Sequence, residues 1–570
     1  MQGLSLNVSG CWNDAGFYRK FLLVLLGTAE ALTFFFLQPI SNYFSNNKYN
    51  FQLPFLEDFF IFDLNIINLL YLFILFFIIR FLLIIIVSYK KNILVRNINN
   101  NLSNKIYSYY IFKEFQFYID NSNSKFLANI TEEVEKFSYR VIDCFIGLIT
   151  EIFLVTGVLI FLFIMYFYVS LFLFSIAILF FTITYNLYKY KFKNLGEIKV
   201  RNDADKIDIL YKSFYIIQNI KLDNLENFFI NNFKKKTETS SRSQFLLSFL
   251  NELPKPILEL FLLFVVLTLV FFLYSYLSIS KEGVLAILII YGIAMFRILP
   301  SLSRIIGYLY QLKFFYPTTE VIENIFKDKK FLENTELIQK EYLGFKKNIK
   351  IENLSFKYDQ SNHYALTNIN LEITKNEIIG ISGHSGSGKS TLLNLLSYLL
   401  KPTSGRILID DEPLENIYKS FQPKIGYVPQ KIYLTNGSII ENVILGKSID
   451  SYDYKLFKEV IDICGLTMLI DSLVDKEQSW IGERGAKLSG GQQQRLGIAR
   501  ALYKKPDILI LDEATNALDE ESEKEILKII LNLEKKTTII LVSHKDSVLQ
   551  ISKRIYEIKN TKINKIIKLK

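Results

Sequence analysis

Up to about residue 311 the chain is a succession of apolar runs, six of them close to the length needed to cross a lipid bilayer. A spanning helix takes about 20 predominantly apolar residues. The stretches 21–40, 61–88, 144–166, 169–187, 257–278 and 284–311 fit, with a tight turn near 166–170 dividing the long run 144–187. Half of all residues are hydrophobic and mean hydropathy is +0.23. A soluble core cannot hide runs of this kind, whereas a bilayer requires them. From about residue 348 onward the composition becomes that of an ordinary soluble α/β domain with Gly-rich turns. The expected fold is therefore an α-helical membrane domain of six spans over 1–311, a linker over 312–347, and a cytosolic α/β domain over 348–570.

The net charge of +10 follows topology rather than a nucleic-acid surface. Arg19 and Lys20 precede the first run; Lys90, Lys91, Arg96, Lys105 and Lys113 follow the second; Lys189, Lys191, Lys193, Lys199, Arg201 and Lys206 follow the fourth. The opposite loops carry Lys48 and Lys281. Cationic loops stay in the cytoplasm, so both termini and the soluble domain are expected there, and no nucleic-acid partner is expected. The long cytoplasmic connections 89–143 and 189–256 contain few helix breakers and read as helices continuing past the bilayer. They must reverse near 115–123 and 221–227, where a soluble motor could push. Cys11, Cys144 and Cys464 match no metal or redox spacing.

Ionisable residues inside apolar runs are costly and face a cavity, a partner or an interface. Glu30, Arg80, Glu151, Glu259, Arg297 and Arg304 are of this kind. Arg297 and Arg304 lie seven apart, on one helix face, and Arg80 sits deep in the second run. Three arginines about a cavity would suit an anionic ligand, since guanidinium grips phosphate oxygens bidentately. The alternative has Arg304 snorkelling to the inner surface and the glutamates pairing with arginines structurally. The segment 49–60, aromatic and interrupted by Pro54, reads as an interfacial or packed loop.

In the soluble part, 377–382 (EIIGIS) reads as a buried strand running into 383–390 (GHSGSGKS) and an apolar helix at 391–400. This is a phosphate-binding loop in its required strand–loop–helix context. Backbone N–H groups of Gly383, His384, Ser385, Gly386, Ser387 and Gly388 would close around phosphates at the helix N-terminus, beside Thr391. Lys389 would reach the β- and γ-phosphates and Ser390 would coordinate Mg²⁺. A second strand, 508–513 (ILILDE), ends in Asp512, suited to the Mg²⁺ side, and Glu513, suited to act as the base toward water.

The run LSGGQ at 488–492 makes the sequence resemble the ATP-binding cassette transporters. In that family the signature, here Ser489, Gly490, Gly491 and Gln492, binds the γ-phosphate of ATP held by a second cassette. The resemblance further implies that Tyr358 (LSFKY) stacks on adenine, that Gln430 (GYVPQ) contacts Mg²⁺ and the membrane domain, and that His544 (LVSH) is the switch histidine. The run IGERG at 481–485 matches the exporter-type segment, and NALD at 516–519 stands in the dimer-contact loop, with Asn516 where Ser is commoner. With Glu513, His544 and Lys389 present, the resemblance implies a competent ATP hydrolase. One cassette joined to six spans implies an exporter half-transporter, most simply a homodimer, using ATP and Mg²⁺ in the bacterial inner membrane.

Within that family the chain looks most like the PglK-type lipid-linked oligosaccharide flippases. The shared parts are FRILPSLSR at 296–304, IIRFLL at 78–83, NITEEVEKFS at 129–138 and PKIGYVPQKIYLTNGSIIENV at 423–443. This resemblance implies that Arg80, Arg297 and Arg304 meet the pyrophosphate of a polyprenyl-linked glycan. Two rivals stand beside it: an exporter of another amphipathic cargo (a lipid A-like glycolipid, a peptide or a drug), and a nucleotide-gated channel or regulatory subunit.

Overall fold

The computed structural model describes residues 66–165, 167–275, 281–328, 340–482, 485–515, 518–534 and 536–568. The first candidate span, Glu30, Cys11 and the segment 49–60 lie outside them, as do Glu483, Arg484, Asn516 and Ala517. Two compact units divide between Asn334 and Thr335, with the short segment Glu114–Asp120 belonging to the second.

The first unit is helical. Its principal helices are α1 (Ile66–Ile111), α2 (Asp143–Met165), α3 (Phe167–Tyr215), α4 (Glu226–Glu252), α5 (Pro254–Ser275), α6 (Lys281–Phe314) and α7 (Tyr316–Lys327). Helices α1, α2, α3, α5 and α6 run through the five later candidate spans. Among the described residues the continuous helical stretch Asn123–Ile164 is long and apolar enough to cross a membrane, with a hydropathy of 2.5 in its most apolar window. Both α1 and α3 continue far beyond their apolar halves, and the chain reverses at Phe115–Asp120 and at Ile217–Leu222, inside or beside the expected turns. The stretch 312–347 contains α7, which opens with Pro at its first turn, where the missing N–H costs nothing, and buries Ile322 and Ile325.

Large apolar side chains face outward along α1 (Ile74, Leu75, Ile78, Phe81) and α5 (Leu260, Leu263, Phe264, Leu267). In water this would be a severe liability; against hydrocarbon it is the stable arrangement. Inside, Phe192 of α3 stacks on Tyr310 of α6 with ring centroids 4.4 Å apart. One turn along, Gly196 lets the backbones touch, because a Cβ there would stand 1.9 Å from the Phe314 carbonyl oxygen. Helices α2 and α6 pack antiparallel, with Cys144 Sγ donating to Gln311 Oε1 at 3.2 Å and Glu151 meeting Arg304 two turns on. Beyond the spans, buried Asp203 of α3 accepts from Lys136, Lys206 and Ser240 and pairs with Lys199.

The second unit holds two sheets. The smaller one is antiparallel, in the order β2 (Leu366–Thr374), β1 (Asn348–Phe356), β4 (Ser404–Ile409), β5 (Glu412–Pro413). The larger has the order β10-β9-β3-β8-β7-β6, in which β9 (Arg554–Lys559), β3 (Ile378–Gly383), β8 (Thr538–Val542), β7 (Ile508–Asp512) and β6 (Ile425–Val428) are parallel, and β10 (Lys562–Lys568) closes a hairpin on β9. Strands β7 and β8 are buried along their whole length, which is why they read as continuous apolar runs rather than alternating ones. Because the strands are parallel, the carboxyl ends of β3, β6, β7 and β8 emerge on one edge, where open α/β sheets bind ligands.

Candidate functional site

The loop after β3 turns into α8 (Lys389–Leu396) through Gly388, whose φ of +103° only glycine adopts without strain. Lys389 is nearly buried, and its ammonium donates to the carbonyls of Gly383 (2.9 Å) and His384 (3.0 Å). Burial lowers its pKa, opposed by the charges of Glu513 and Asp512. The ammonium therefore lies inside the loop that carries Ser385, Gly386 and Ser387. The Ser387 hydroxyl is buried and has no hydrogen-bond partner among the described residues. On the same helix Thr391 Oγ1 lies 3.0 Å from the Tyr358 hydroxyl, which fixes that ring beside the start of α8.

Two carboxylates stand at the end of β7. Asp512 is buried, and its Oδ2 accepts from Ser390 Oγ at 3.4 Å and from the Tyr427 hydroxyl at 3.2 Å. Burial pushes the Asp512 carboxyl up, the Tyr427 bond opposes this, and the neighbouring Glu513 charge adds to the rise. Glu513 itself has a φ of +51°, rare for a residue with a side chain and typical of strain held at functional sites. Gln430 Nε2 donates to Glu513 Oε2 at 2.6 Å, and His544 Nε2 lies 3.0 Å from Glu513 Oε1. These contacts bring Lys389, Ser390, Gln430, Asp512, Glu513 and His544 into one cluster drawn from four strand ends.

Mg²⁺ is bound by one or two protein oxygens together with phosphate oxygens and water. Ser390 Oγ and Asp512 Oδ2, within hydrogen-bond reach of each other, form such a hard-oxygen pair. Among the described residues no group of three or more His, Cys, Asp or Glu could cage a metal by itself.

The signature residues form a separate helix N-terminus. Ser489 caps α9 (Gly490–Leu502) by a reciprocal box with Gln492: its hydroxyl accepts from the Gln492 N–H, and its own N–H donates to Gln492 Oε1. Gly490 and Gly491 supply the first turn, and a Cβ at Gly491 would press on Ser522 Oγ at 2.9 Å. Asp519, the described end of NALD, caps the helix Glu520–Leu533.

The three arginines differ in their surroundings. Arg304 donates through Nε and Nη2 to Glu151 at 2.6 and 3.0 Å, and through Nη2 to Ser301 Oγ at 3.1 Å. The glutamate–arginine pairing foreseen as an alternative is thus present for this residue. Arg80 lies over the Phe77 ring at 5.5 Å, and the Arg297 carbonyl accepts from Ser301. Glu259 is exposed. Two further residues of the site carry little signal in the sequence. Tyr427, three before Gln430 in GYVPQ, reaches Asp512, its sole signal being a polar aromatic inside a buried strand. Lys545, next to His544, donates to the Thr515 carbonyl at 3.2 Å and pairs with Glu523, tying the loop after Glu513 to the helix that follows.

This arrangement is that of a nucleotide-hydrolysing domain joined to a helical membrane domain. The family described as ABC transporter matches residues 366–516, and the ABC transporter transmembrane region matches 19–299. The chain belongs to the ABC transporters, as a multi-pass membrane protein with their ATP-hydrolysing domain. Among curated relatives, an ATP-dependent lipid A-core flippase of Ralstonia nicotianae is 38% identical over 217 residues, 38% of this chain and 37% of that protein. A multidrug resistance ABC transporter ATP-binding and permease protein of Lactococcus lactis is 38% identical over 218 residues, with the same coverage. The alpha-hemolysin translocation ATP-binding protein of Escherichia coli O157:H7 is 41% identical over 213 residues, 37% of this chain and 30% of that one. The match thus spans little more than a third of these relatives at most. A bacterial Atm1-family ABC exporter with ATP bound has the same fold, with a TM-score of 0.76, 20% identity, and coverage of 97% of this chain and 95% of that one.

Proposed function

We propose that the chain is an ATP-driven exporter half-transporter that flips a polyprenyl-pyrophosphate-linked oligosaccharide from the inner to the outer leaflet of the bacterial cytoplasmic membrane, working as a homodimer. The observation that carries the motor is the setting of Glu513, gripped on its two oxygens by Gln430 and His544 beside the phosphate loop. Lys389 and the loop N–H groups hold the phosphates of ATP. Ser390 and Asp512 hold Mg²⁺, which neutralises phosphate charge when bound. Glu513 orients the attacking water, and His544 keeps its carboxylate aimed. Tyr358 takes the adenine. Ser489, Gly490, Gly491 and Gln492 of each protomer face the phosphate loop of the other, so that ATP clamps the pair and hydrolysis releases it.

Cargo recognition rests on the flippase-like segments and on Arg80 and Arg297, whose guanidinium groups suit a pyrophosphate. The bidentate pair with Glu151 gives Arg304 a structural role beside any contact with cargo. The names of the relatives point to the other amphipathic cargoes, a lipid A-type glycolipid, a peptide or a drug. The test is transfer of a labelled polyprenyl-pyrophosphate oligosaccharide between leaflets of proteoliposomes, with Glu513→Gln and Arg297→Ala as controls. Transfer that needs ATP and Glu513 and fails without Arg297 establishes the reading. ATP turnover without transfer of this lipid moves the cargo to the lipid A, peptide or drug alternatives, and no turnover in lipid favours a regulatory subunit.

A further inference from the structure

The end of β6 serves both acids of the site. Gln430, just beyond the strand, holds Glu513, while Tyr427, within it, reaches Asp512. Register explains why Tyr427 arrives there. Tyr427 lies opposite Ile510 in the parallel β6–β7 pair, and Ile510 and Asp512, two apart, share a face. A residue with a long side chain ending in a hydroxyl at this position therefore meets the Asp512 carboxylate from the neighbouring strand. The oxygen it meets is also the one that Ser390 approaches. Val428 and Gly426, on either side, are buried, so the strand cannot slide to let the phenol point elsewhere.

We propose that Tyr427 is a positioning residue for the metal side of the site: its hydroxyl fixes the Asp512 carboxylate in the orientation that, with Ser390, receives Mg²⁺. The inference rests on the reading of Asp512 as a Mg²⁺ ligand and extends it to a residue of the GYVPQ run other than its glutamine. One strand end then sets both carboxylates, so that the metal side and the water side of the γ-phosphate are placed together.

The experiment uses the full chain in lipid nanodiscs and a fluorescent, non-hydrolysable ATP analogue titrated in Mg²⁺ and in EDTA. Tyr427→Phe keeps the ring and its packing. It should weaken binding in Mg²⁺ by roughly three- to tenfold, about the net worth of one typical intramolecular hydrogen bond, and leave binding in EDTA unchanged. Asp512→Asn should abolish the gain from Mg²⁺, and adding Tyr427→Phe to it should change nothing further. Equal losses in Mg²⁺ and EDTA, or no loss in either, overturn the proposal, as does an undiminished effect of Tyr427→Phe in the Asp512→Asn background. If Asp512→Asn retains the full gain from Mg²⁺, the assignment of Asp512 fails and that of Tyr427 with it. Loss in Asp512→Asn but not in Tyr427→Phe sinks the tyrosine alone.

Discussion

His544 Nε2 lies 3.0 Å from one carboxylate oxygen of Glu513 while Gln430 Nε2 donates to the other at 2.6 Å. A neutral imidazole facing a carboxylate must present its N–H, so the tautomer of His544 is set by Glu513. Glu513 also occupies a left-handed backbone conformation, and its N–H donates to the Val542 carbonyl at 3.0 Å on the strand that leads to His544. The base and the residue that aims it are thus tied through both side chain and backbone.

Glu513→Gln removes the basic group and keeps the shape. Turnover should fall at least about 100-fold, the usual worth of a positioned base, while nucleotide affinity is retained. Phosphate release and nucleotide binding by the same preparation check this. Turnover near the wild-type rate would remove Glu513 from the chemistry.

Gly388→Ala tests the phosphate loop. Besides its φ of +103°, a Cβ at this position would stand 2.6 Å from Leu366 Cδ2 and 2.7 Å from the Ala365 carbonyl oxygen. The loop must then move away from the start of β2, and nucleotide binding should be lost with the α/β domain still folded. A nucleotide titration beside a melting curve separates the two effects. Unaltered affinity would show that the loop tolerates displacement.

The Arg304–Glu151 pair joins α6 to α2, and the Glu151 side chain is only 13% exposed. Arg304→Ala strands that carboxylate, at a cost of about 1–3 kcal/mol. Glu151→Arg combined with Arg304→Glu should recover most of the loss, because the antiparallel register keeps the two positions facing. Unfolding in mixed detergent micelles reads the difference. Equal stability of Arg304→Ala and wild type would demote the pair to a surface contact.

What the sequence made legible was local. The phosphate loop, the paired acids of 508–513 and the signature each depend on neighbours within a few residues, and their strand or helix context followed from apolar patterning. Pairings across the fold were less accessible. Tyr427 and Asp512 are 85 residues apart, and only the parallel register of β6 on β7 makes them meet. Glu151 and Arg304 were both visible as charges in apolar runs, but their union depends on how two helices index against each other over 153 residues of separation. Helix α7 carried its own signal, Pro317 followed by Ile322 and Ile325 on one face, inside a stretch that read as linker because it lacked the length of the apolar runs beside it.

The ends of the long helices beyond their apolar halves are held by a charge cluster whose centre is Asp203. Its carboxylate, almost fully buried, meets the ammonium groups of Lys136 (2.9 Å), Lys199 (3.2 Å) and Lys206 (2.8 Å), and accepts from Ser240 of α4 at 2.6 Å. Burial alone would raise its pKa, but the Lys136 charge, with the bonds from Lys206 and Ser240, outweighs that and holds it well below the ordinary carboxylate range. A carboxylate depressed in the folded state stabilises it above the unfolded pKa of about 3.9, and that contribution disappears as pH falls toward the folded value. Asp203→Asn should therefore cost about 1–3 kcal/mol near neutrality, since it takes the counter-charge from the partly buried Lys199 and Lys206, while Lys136 keeps Glu132 and Glu133. The gap between the melting temperatures of wild type and variant should be full at pH 7 and pH 5, and narrow as pH drops below about 4. A gap that stayed constant down to pH 3 would mean that Asp203 acts through packing rather than charge. A gap that widened on acidification would reverse the sign of its coupling to the lysines.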